Sequence, residues 1–304
     1  MNGNNNGNNN GNNNGNNNGN NNGINRRQLI MGAALALLVA SCAAPPPAAK
    51  PAADAAKPAV AAPAVAAPAA NDLGGREVVI AVENAYPPFN YKDEKTGENI
   101  GMDYDMLNDV CKRLNCKTKF VTTSWEAIVA VMEAKGKAEW DMAADGITIT
   151  PERAKNVDFS TPVINVAQRL LVRKGETRFK TADDFKANKD LLFGAQPGTT
   201  NYTIMEKIVG KERIKAYDQF GLIVQALLNN DIDATVMDDV ASLGNMQANP
   251  DKLETLPGIL AGEDLGFVFP QGSELRAAFN KALADQKADG TYDKLKAKWF
   301  PGIK

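Results

Sequence analysis

The chain has 304 residues, a formal net charge of -2 at pH 7, 3 cysteines and no histidine. Because there is no basic excess, the composition gives no indication of nucleic-acid binding. Without histidine, Ser-His-Asp and Cys-His nucleophile pairs and imidazole metal sites are excluded, so an enzyme would have to use carboxylates, lysine or tyrosine.

The first 42 residues are typical of an export leader. Residues 1–23 repeat Asn-Asn-Asn-Gly, a composition that predicts disorder. The pair Arg26-Arg27 then precedes an apolar run over 29–40 and small residues up to Cys42, the order of a signal peptide. The apolar run is too short to remain as a membrane-spanning helix.

Two short motifs in this leader resemble known export signals. Val39-Ala40-Ser41-Cys42 resembles the lipobox of bacterial lipoproteins, which implies cleavage before Cys42 and a lipid on its sulfur. Arg26-Arg27 also resembles a twin-arginine signal, although the Ser or Thr that usually precedes the pair is missing. Export by the Sec route and by the twin-arginine route both stay open.

Residues 43–75 begin with a stretch of almost pure alanine and proline. Proline at this density favours an extended, semi-rigid spacer over a packed element. We therefore expect a tether here and a folded part from about 76 to 304, long enough for two lobes that each bury a core.

Within the folded part, apolar runs of strand length alternate with helical patterns. Strands are predicted at 78–82, 119–122, 140–144, 191–195 and 232–237. Helices are predicted at 125–134, 199–209, 220–229 and 239–247 and from the spacing of Tyr104, Leu107, Cys111 and Leu114, with a capping box at Thr181 and Asp184. This alternation predicts an α/β fold with mostly parallel sheets, whose ligands lie beyond the carboxyl ends of strands.

The strand 140–144 leads into Thr150-Pro151-Glu152-Arg153. Thr150 is a good helix N-cap and Pro151 suits the first helical position, which would leave N–H groups free for an anion. The guanidinium of Arg153 could add a bidentate contact to a carboxylate. The alternative is an ordinary capped helix with a solvated arginine.

Two further strand ends carry polar residues. The turn 196–201 contains Gly198 and leads into a helix that begins with hydroxyl side chains, again a favourable place for an anion. Asp238 follows the strand 232–237 and either caps the next helix or points into a cleft as the counter-charge of an ammonium group. Two anion sites and one carboxylate suit a zwitterion.

From about 76 to 304 the sequence resembles the amino-acid-binding proteins of ABC importers, solute-binding protein family 3. The resemblance is carried, in family order, by Tyr86-Pro87-Pro88-Phe89, Gly101-Met102-Asp103, Trp125-Glu126, Asp141, Gly146 to Arg153, Asp158-Phe159-Ser160, Gly198-Thr199-Thr200, Asp233-Ala234 and Ala288-Asp289-Gly290-Thr291. It implies a type II periplasmic binding protein fold, with two lobes joined by two crossing strands near 166–170 and 261–263. Lobe 1 would comprise 76–166 and 263–304, and lobe 2 would comprise 167–262.

The resemblance also implies roles for individual residues. Ligand would bind between the lobes, its α-carboxylate held by Arg153, Thr148 and Thr200 and its α-ammonium by Asp238 with a backbone carbonyl near Asp145. The other expected ligand-binding residues are Gly146 and Thr199, Tyr86 and Trp125 in the side-chain pocket, and Glu83 near the ligand's distal end. The resemblance assigns Phe89 to the same pocket, but for this ring we favour a position in the core. An acidic Glu83 favours basic or amide ligands.

These observations lead to one expected function and two alternatives. We expect a monomeric binding protein that captures a polar or basic L-amino acid and delivers it to an ABC importer permease. It would act outside the cytoplasm, tethered to the membrane through lipid on Cys42, without metal or cofactor and without catalysis. The alternatives are a lyase or dehydratase of the same fold, with Glu83 as proton donor, and a ligand-sensing domain.

Three smaller features remain. Cys111 and Cys116 could form a disulfide or stay separate buried thiols. Asp103 and Asp105 are better explained as helix-start charges than as metal ligands. The segment 162–165, Pro-Val-Ile-Asn, departs from relatives that commonly carry tyrosines there. The resemblance therefore does not determine the residues at the rim of the pocket or the identity of the ligand.

Overall fold

A computed structural model describes residues 71–302. The Asn-rich leader, the signal peptide with Cys42 and most of the Ala/Pro-rich tether lie outside the described residues. Among the residues described, no helix combines the length and apolar character needed to cross a membrane.

The strands alternate with helices along the chain. They are β1 (Glu77–Val82), β2 (Ala85–Tyr86), β3 (Asn90–Lys92), β4 (Asn99–Ile100), β5 (Lys117–Thr122), β6 (Met142–Thr148), β7 (Val157–Phe159), β8 (Ile164–Arg173), β9 (Phe193–Ala195), β10 (Ile214–Ala216), β11 (Ala234–Asp238), β12 (Leu253–Thr255) and β13 (Ala261–Pro270). The helices are α1 (Met102–Arg113), α2 (Trp125–Met132), α3 (Ala182–Ala187), α4 (Thr200–Val209), α5 (Phe220–Leu228), α6 (Asp239–Ala248), α7 (Leu275–Ala288) and α8 (Thr291–Trp299).

Side-chain caps explain where several helices begin. Ser124 accepts a hydrogen bond from the N–H of Ala127 at the start of α2, and Thr199 accepts one from Tyr202 at the start of α4. The capping box predicted at Thr181 and Asp184 is present at the start of α3. Such caps replace intrahelical partners that the first N–H groups lack.

The segment after β6 differs from its prediction. Instead of an α-helix capped by Thr150, the chain makes a single 3-10 turn at Arg153–Lys155. The Thr150 hydroxyl does accept a hydrogen bond from the Arg153 N–H at 3.2 Å. That N–H is therefore already satisfied, and anion binding here would depend on the Arg153 side chain.

The main sheet has the strand order β10-β9-β11-β8-β13-β6-β1-β5. At one end β1 pairs in parallel with β5 and β6, and at the other end β9 pairs in parallel with β10 and β11. In the centre the long strands β8 and β13 pair antiparallel, with Ala261 opposite Gln168. The predicted α/β class is confirmed. The sheet is mixed, with antiparallel strands in its centre, because the chain passes to the second half through β8 and returns through β13.

Helices cover both faces of this sheet. Ile80 and Val82 of β1 belong to the hydrophobic cluster that contains Leu107 of α1. Ala81, between them, belongs to a different cluster with Ile128 of α2. Since neighbouring strand residues point to opposite faces, α1 and α2 lie on opposite sides of the sheet.

The two cysteines and the two aspartates singled out in the sequence lie at or near the ends of α1, and each has a partner in the protein. Cys111 and Cys116 form a disulfide with a Cα–Cα distance of 4.6 Å. Asp103 is buried and accepts a hydrogen bond from Asn90 Nδ2 at 3.0 Å. Asp105 pairs with Lys298 of α8 at 2.6 Å. Both aspartates therefore have protein partners and stabilise the packing around α1.

Candidate functional site

The carboxyl ends of four strands meet around one cleft. Glu83 follows β1, Thr148 ends β6, Gln196 follows β9 and Asp238 ends β11. The space between the lining side chains amounts to about 370 Å³ with the open mouth included.

All the residues predicted to bind ligand line this cleft. They come from both halves of the sheet, and the first and the last are 155 positions apart in the chain. These residues are Glu83, Tyr86, Trp125, Asp145, Gly146, Thr148, Arg153, Thr199, Thr200 and Asp238. Gln196, Asn201 and Phe220 line the same cleft and were not predicted.

Arg153 is held by backbone carbonyls from the two halves. Its Nη1 donates to the carbonyl of Thr148 at 2.8 Å, and its Nη2 donates to the carbonyl of Gly198 at 2.9 Å. The guanidinium carbon lies 5.6 Å from the ring centroid of Trp125. Burial lowers the pKa of Arg153 to about 10, so the group is charged at neutral pH. The guanidinium has five N–H donors, so donors remain for an anion.

Two threonine hydroxyls lie beside each other at the same side of the cleft. Thr148 Oγ1 and Thr200 Oγ1 are 3.3 Å apart. Each donates to Oε2 of Glu263 on β13, at 2.7 Å and 3.0 Å respectively. Gln168 Nε2 on β8 donates to the same oxygen at 2.9 Å. This oxygen therefore accepts all three hydrogen bonds.

Asp238 is the buried acid on the second half of the sheet. Its backbone occupies the N-cap position of α6, but its side chain makes no capping hydrogen bond. Instead Oδ2 accepts a hydrogen bond from the Tyr86 hydroxyl, and the buried Oδ1 has no partner among the described residues. Burial raises the pKa of Asp238 to about 7, and the hydrogen bond from Tyr86 opposes that rise. Of the two readings of Asp238, the structure shows the side chain in the cleft.

Two further buried carboxyls line the cleft: Glu83, which follows β1, and Asp145, which lies within β6. Glu83 Oε1 accepts a hydrogen bond from Gln196 Nε2 at 2.8 Å, across the cleft. Burial raises the pKa of Glu83 to about 7. Burial, and then the charge of Glu83, raise the pKa of Asp145 well above its ordinary value. A cation between these two carboxyls would favour their charged forms.

Gly146 and Phe220 fix the position of the Tyr86 ring. Gly146 has φ +58°, and a Cβ added there would lie 2.5 Å from Cε1 of Tyr86. Only glycine adopts this conformation easily and leaves room for the ring. On the opposite half, Phe220 packs against Tyr86 with ring centroids 4.9 Å apart. The ring is thereby directed toward Asp238.

Trp125 and Thr199 line the cleft while making structural contacts. Trp125 Nε1 donates to the carbonyl of Pro197 at 3.1 Å, a contact between the two halves. Thr199 Oγ1 donates to the carbonyl of Gln196 at 2.7 Å and caps α4. Phe89 is buried in the core beside Tyr86, as expected.

Three lining residues and Glu263 were missed from the sequence. Gln196 and Asn201 flank the Gly198 turn. The sequence did indicate a site at this strand end, but only the hydroxyl residues of the turn were predicted to bind ligand. Phe220 reads as an ordinary apolar residue at the start of a helix. Glu263 lies 115 positions from Thr148 in the chain, and no local pattern predicts their contact.

The cleft has the features of a site for a small dipolar molecule, and comparison with known proteins agrees. Residues 78–302 match the family described as bacterial extracellular solute-binding proteins, family 3. The chain belongs to this family. Proteins that it resembles include one named a lysine/arginine/ornithine-binding periplasmic protein and one named a probable amino-acid ABC transporter-binding protein.

Several relatives of this family 3 chain share about a third of its sequence. The L-cystine-binding protein TcyJ of Escherichia coli (strain K12) is 30% identical over 225 residues, which cover 73% of this chain and 82% of TcyJ. The lysine/arginine/ornithine-binding periplasmic protein of the same strain is 30% identical over 243 residues, covering 73% and 87%. The solved structure of the arginine-, lysine-, histidine-binding protein ArtJ from Geobacillus stearothermophilus matches with a TM-score of 0.68 and 32% identity, covering 75% of this chain and 97% of ArtJ.

Proposed function

We propose that this family 3 protein captures an L-amino acid in the cleft and delivers it to the permease of an ABC importer. The observation that carries the proposal is the placement of Arg153 and the unpartnered Oδ1 of Asp238 on the same cleft, from opposite halves of the sheet. An α-amino acid has one carboxylate and one ammonium group. A fixed guanidinium and a buried carboxylate complement those two charges.

The remaining lining residues assign the two poles of the ligand. The α-carboxylate would lie against Arg153 and the hydroxyls of Thr148 and Thr200. The α-ammonium would lie against Oδ1 of Asp238, with its partner Tyr86 holding the acid in place. Gly146 lies in β6 against the Tyr86 ring, and Thr199 directly precedes Thr200, so both would border the ligand.

The ligand's side chain would extend toward Glu83 and Asp145. Two buried carboxyls with raised pKa values favour a cation between them and disfavour an acidic side chain. Trp125 adds an aromatic face that can pack on an aliphatic stem. We therefore propose a basic or polar ligand, which is consistent with relatives named for binding lysine, arginine, ornithine or histidine.

Closure of two lobes would couple capture to delivery. Lobe 1 would comprise 76–166 and 263–304, lobe 2 would comprise 167–262, and β8 and β13 would be the crossing strands. Because ligand contacts from both lobes form together only in the closed shape, binding would shift the population toward closure, and a permease could recognise that shape. The protein would act as a monomer, held outside the cytoplasm by lipid on Cys42.

The proposal is tested by thermal-shift screening against the common L-amino acids and their decarboxylated amines. A ligand that binds only the folded state raises the melting temperature by mass action. We expect selective stabilisation by basic or polar L-amino acids and none by the amines. An equal response to an amine would overturn the carboxylate-binding role of Arg153 and the threonines.

A second candidate, a lyase or dehydratase, is favoured by one observation. Glu83 is a cleft carboxyl whose pKa burial raises to about 7, a value suited to a proton donor. Against this, the presence of both Arg153 and Asp238 on the cleft favours retention of an amino acid without turnover. Product analysis after incubation with each stabilising ligand separates the two, since a binding protein returns the ligand unchanged.

A further inference from the structure

Glu263 occupies hydrogen bonds that the proposed ligand would need. Its Oε2 accepts from Thr148 Oγ1 at 2.7 Å and from Thr200 Oγ1 at 3.0 Å. A threonine hydroxyl has only one proton to donate. While Glu263 holds this position, neither hydroxyl can donate to a second carboxylate.

The charge of Glu263 acts on the same group as the ligand's carboxylate would. Burial lowers the pKa of Arg153, and of the acids that oppose this lowering Glu263 has the largest effect. The two hydrogen bonds of Arg153 go to carbonyl oxygens of Thr148 and Gly198, however, so its remaining N–H donors are not used by these contacts. Two carboxylates at this place would repel each other, because like charges in close contact are unfavourable.

The side chain of Glu263 has room to leave. It is only partly buried. Besides contacting the hydroxyl pair, it lines an outer cavity of about 1610 Å³ with the open mouth included, compared with about 370 Å³ for the cleft. Its backbone lies in β13 opposite Val166 of β8, where the chain crosses between the halves of the sheet. A change of rotamer would therefore move the carboxylate to solvent without breaking a strand pair.

We propose that Glu263 is an internal competitor for the ligand's α-carboxylate, which leaves Thr148 and Thr200 when an amino acid binds. This inference rests on the proposed function. Glu263 stabilises the two hydroxyls in the ligand-free cleft and lowers the affinity for any ligand that carries a carboxylate.

Glu263→Gln tests the competition with little change in shape. We expect calorimetry to show L-arginine binding at least about tenfold tighter than in the wild-type protein, the scale of one removed like-charge contact. L-Argininamide, which lacks the α-carboxylate, should gain nothing. Asp264→Asn is the matched control: it removes a carboxylate one position along β13 that contacts Asn165 instead of the threonines, and affinity should be unchanged.

Each outcome bears on a different statement. If the wild-type protein binds L-arginine and Glu263→Gln binds it equally or more weakly, the competitor role is wrong and the proposed function stands. If both L-arginine and its amide gain equally, Glu263 acts through general charge and the proposal is also wrong. If the wild-type protein binds neither L-arginine nor any other basic or polar L-amino acid, the proposed ligand class and this inference fail together. Glu263→Ala, which frees both hydroxyls, should reproduce the gain, and melting temperatures verify folding of each variant.

Discussion

The hydroxyl of Tyr86 and the carboxyl of Asp238 are joined across the cleft, although 152 positions separate them in the chain. The hydrogen bond satisfies Oδ2 and leaves Oδ1 as the buried atom without a partner. Tyr86 thus determines which oxygen of Asp238 would be available to the proposed ligand.

Tyr86→Phe should weaken binding of an L-amino acid by about tenfold or more, because a hydrogen bond to a charged group contributes about 1.5 to 3 kcal/mol. The loss should be larger near neutral pH than at high pH, since the hydrogen bond keeps the pKa of Asp238 from rising further. Calorimetric titration at several pH values measures both effects. Tyr104→Phe is the control, because that hydroxyl donates to Asn84 at 2.6 Å and does not line the cleft; an equal loss there would contradict the role of Tyr86.

Arg153→Ala should remove most of the affinity, about 2 to 5 kcal/mol for truncation of one side of a buried charge pair. Arg153→Lys should recover only part of it, because an ammonium cannot hold both carbonyls and a carboxylate in one plane. Arg276→Ala, which removes a half-exposed arginine 3.9 Å from Asp158, is the matched control. Retained affinity in Arg153→Ala would refute the carboxylate-binding assignment.

Ligand affinity should rise with pH between about 5 and 8. Glu83 and Asp238 have pKa values raised to about 7 by burial, and only their charged forms attract an ammonium or guanidinium group. Asp238→Asn should flatten the profile and weaken binding throughout. Titrations across this pH range measure the effect, and tighter binding at the acidic end would contradict it.

The stability of the ligand-free protein should change in the opposite direction. A carboxyl whose pKa is raised on folding stabilises the folded state below its unfolded pKa, and this contribution is lost as the pH rises through the folded value. For Glu83 and Asp238 the loss falls between about pH 4 and 7. The lowered pKa of Glu176, about 2, acts only at more acidic pH. The melting temperature should fall over that range, and less so in Asp238→Asn.

Gly146→Ala should destabilise the fold and weaken binding together. The added Cβ would lie 2.5 Å from the Tyr86 ring, which must then move away from Asp238. Gly175→Ala is the control, because Gly175 also has a positive φ, +82°, but an added Cβ there would have nothing within 4 Å. Both variants should lose about 1 kcal/mol or more of unfolding free energy from backbone strain, but only Gly146→Ala should lose affinity. Unchanged affinity in Gly146→Ala would show that the ring position does not matter.

Removal of the disulfide should affect stability alone. Cys111 and Cys116 are 5 positions apart, and the loop-entropy relation gives about 2 kcal/mol for a loop this short. Urea unfolding of the double Cys→Ala variant measures the loss, and reduction of the wild-type protein should reproduce it. Ligand affinity should stay the same, because neither cysteine lines the cleft.

The sequence predicts elements better than side-chain directions. Apolar runs predicted β1, β6 and β9 to within a few residues, because a strand buried on both faces needs consecutive apolar side chains. The family resemblance supplied ligand-binding residues from both halves, and all ten residues predicted to bind ligand line the cleft. The α-helix predicted at Thr150 is a single 3-10 turn, since the chain has to rise directly into β7 after Arg153–Lys155. The contact between Thr148 and Glu263 depends on how β13 pairs with β6 and β8, which no local pattern encodes.

The cluster of buried acids has a further consequence in a chain without a single imidazole. Side-chain groups that exchange protons close to neutrality are usually histidines, spread over a surface. Here Glu83 and Asp238 take that part, and both line the same recess. Protons released to the buffer on saturation near neutrality would therefore report directly on the recess, without a histidine background to subtract.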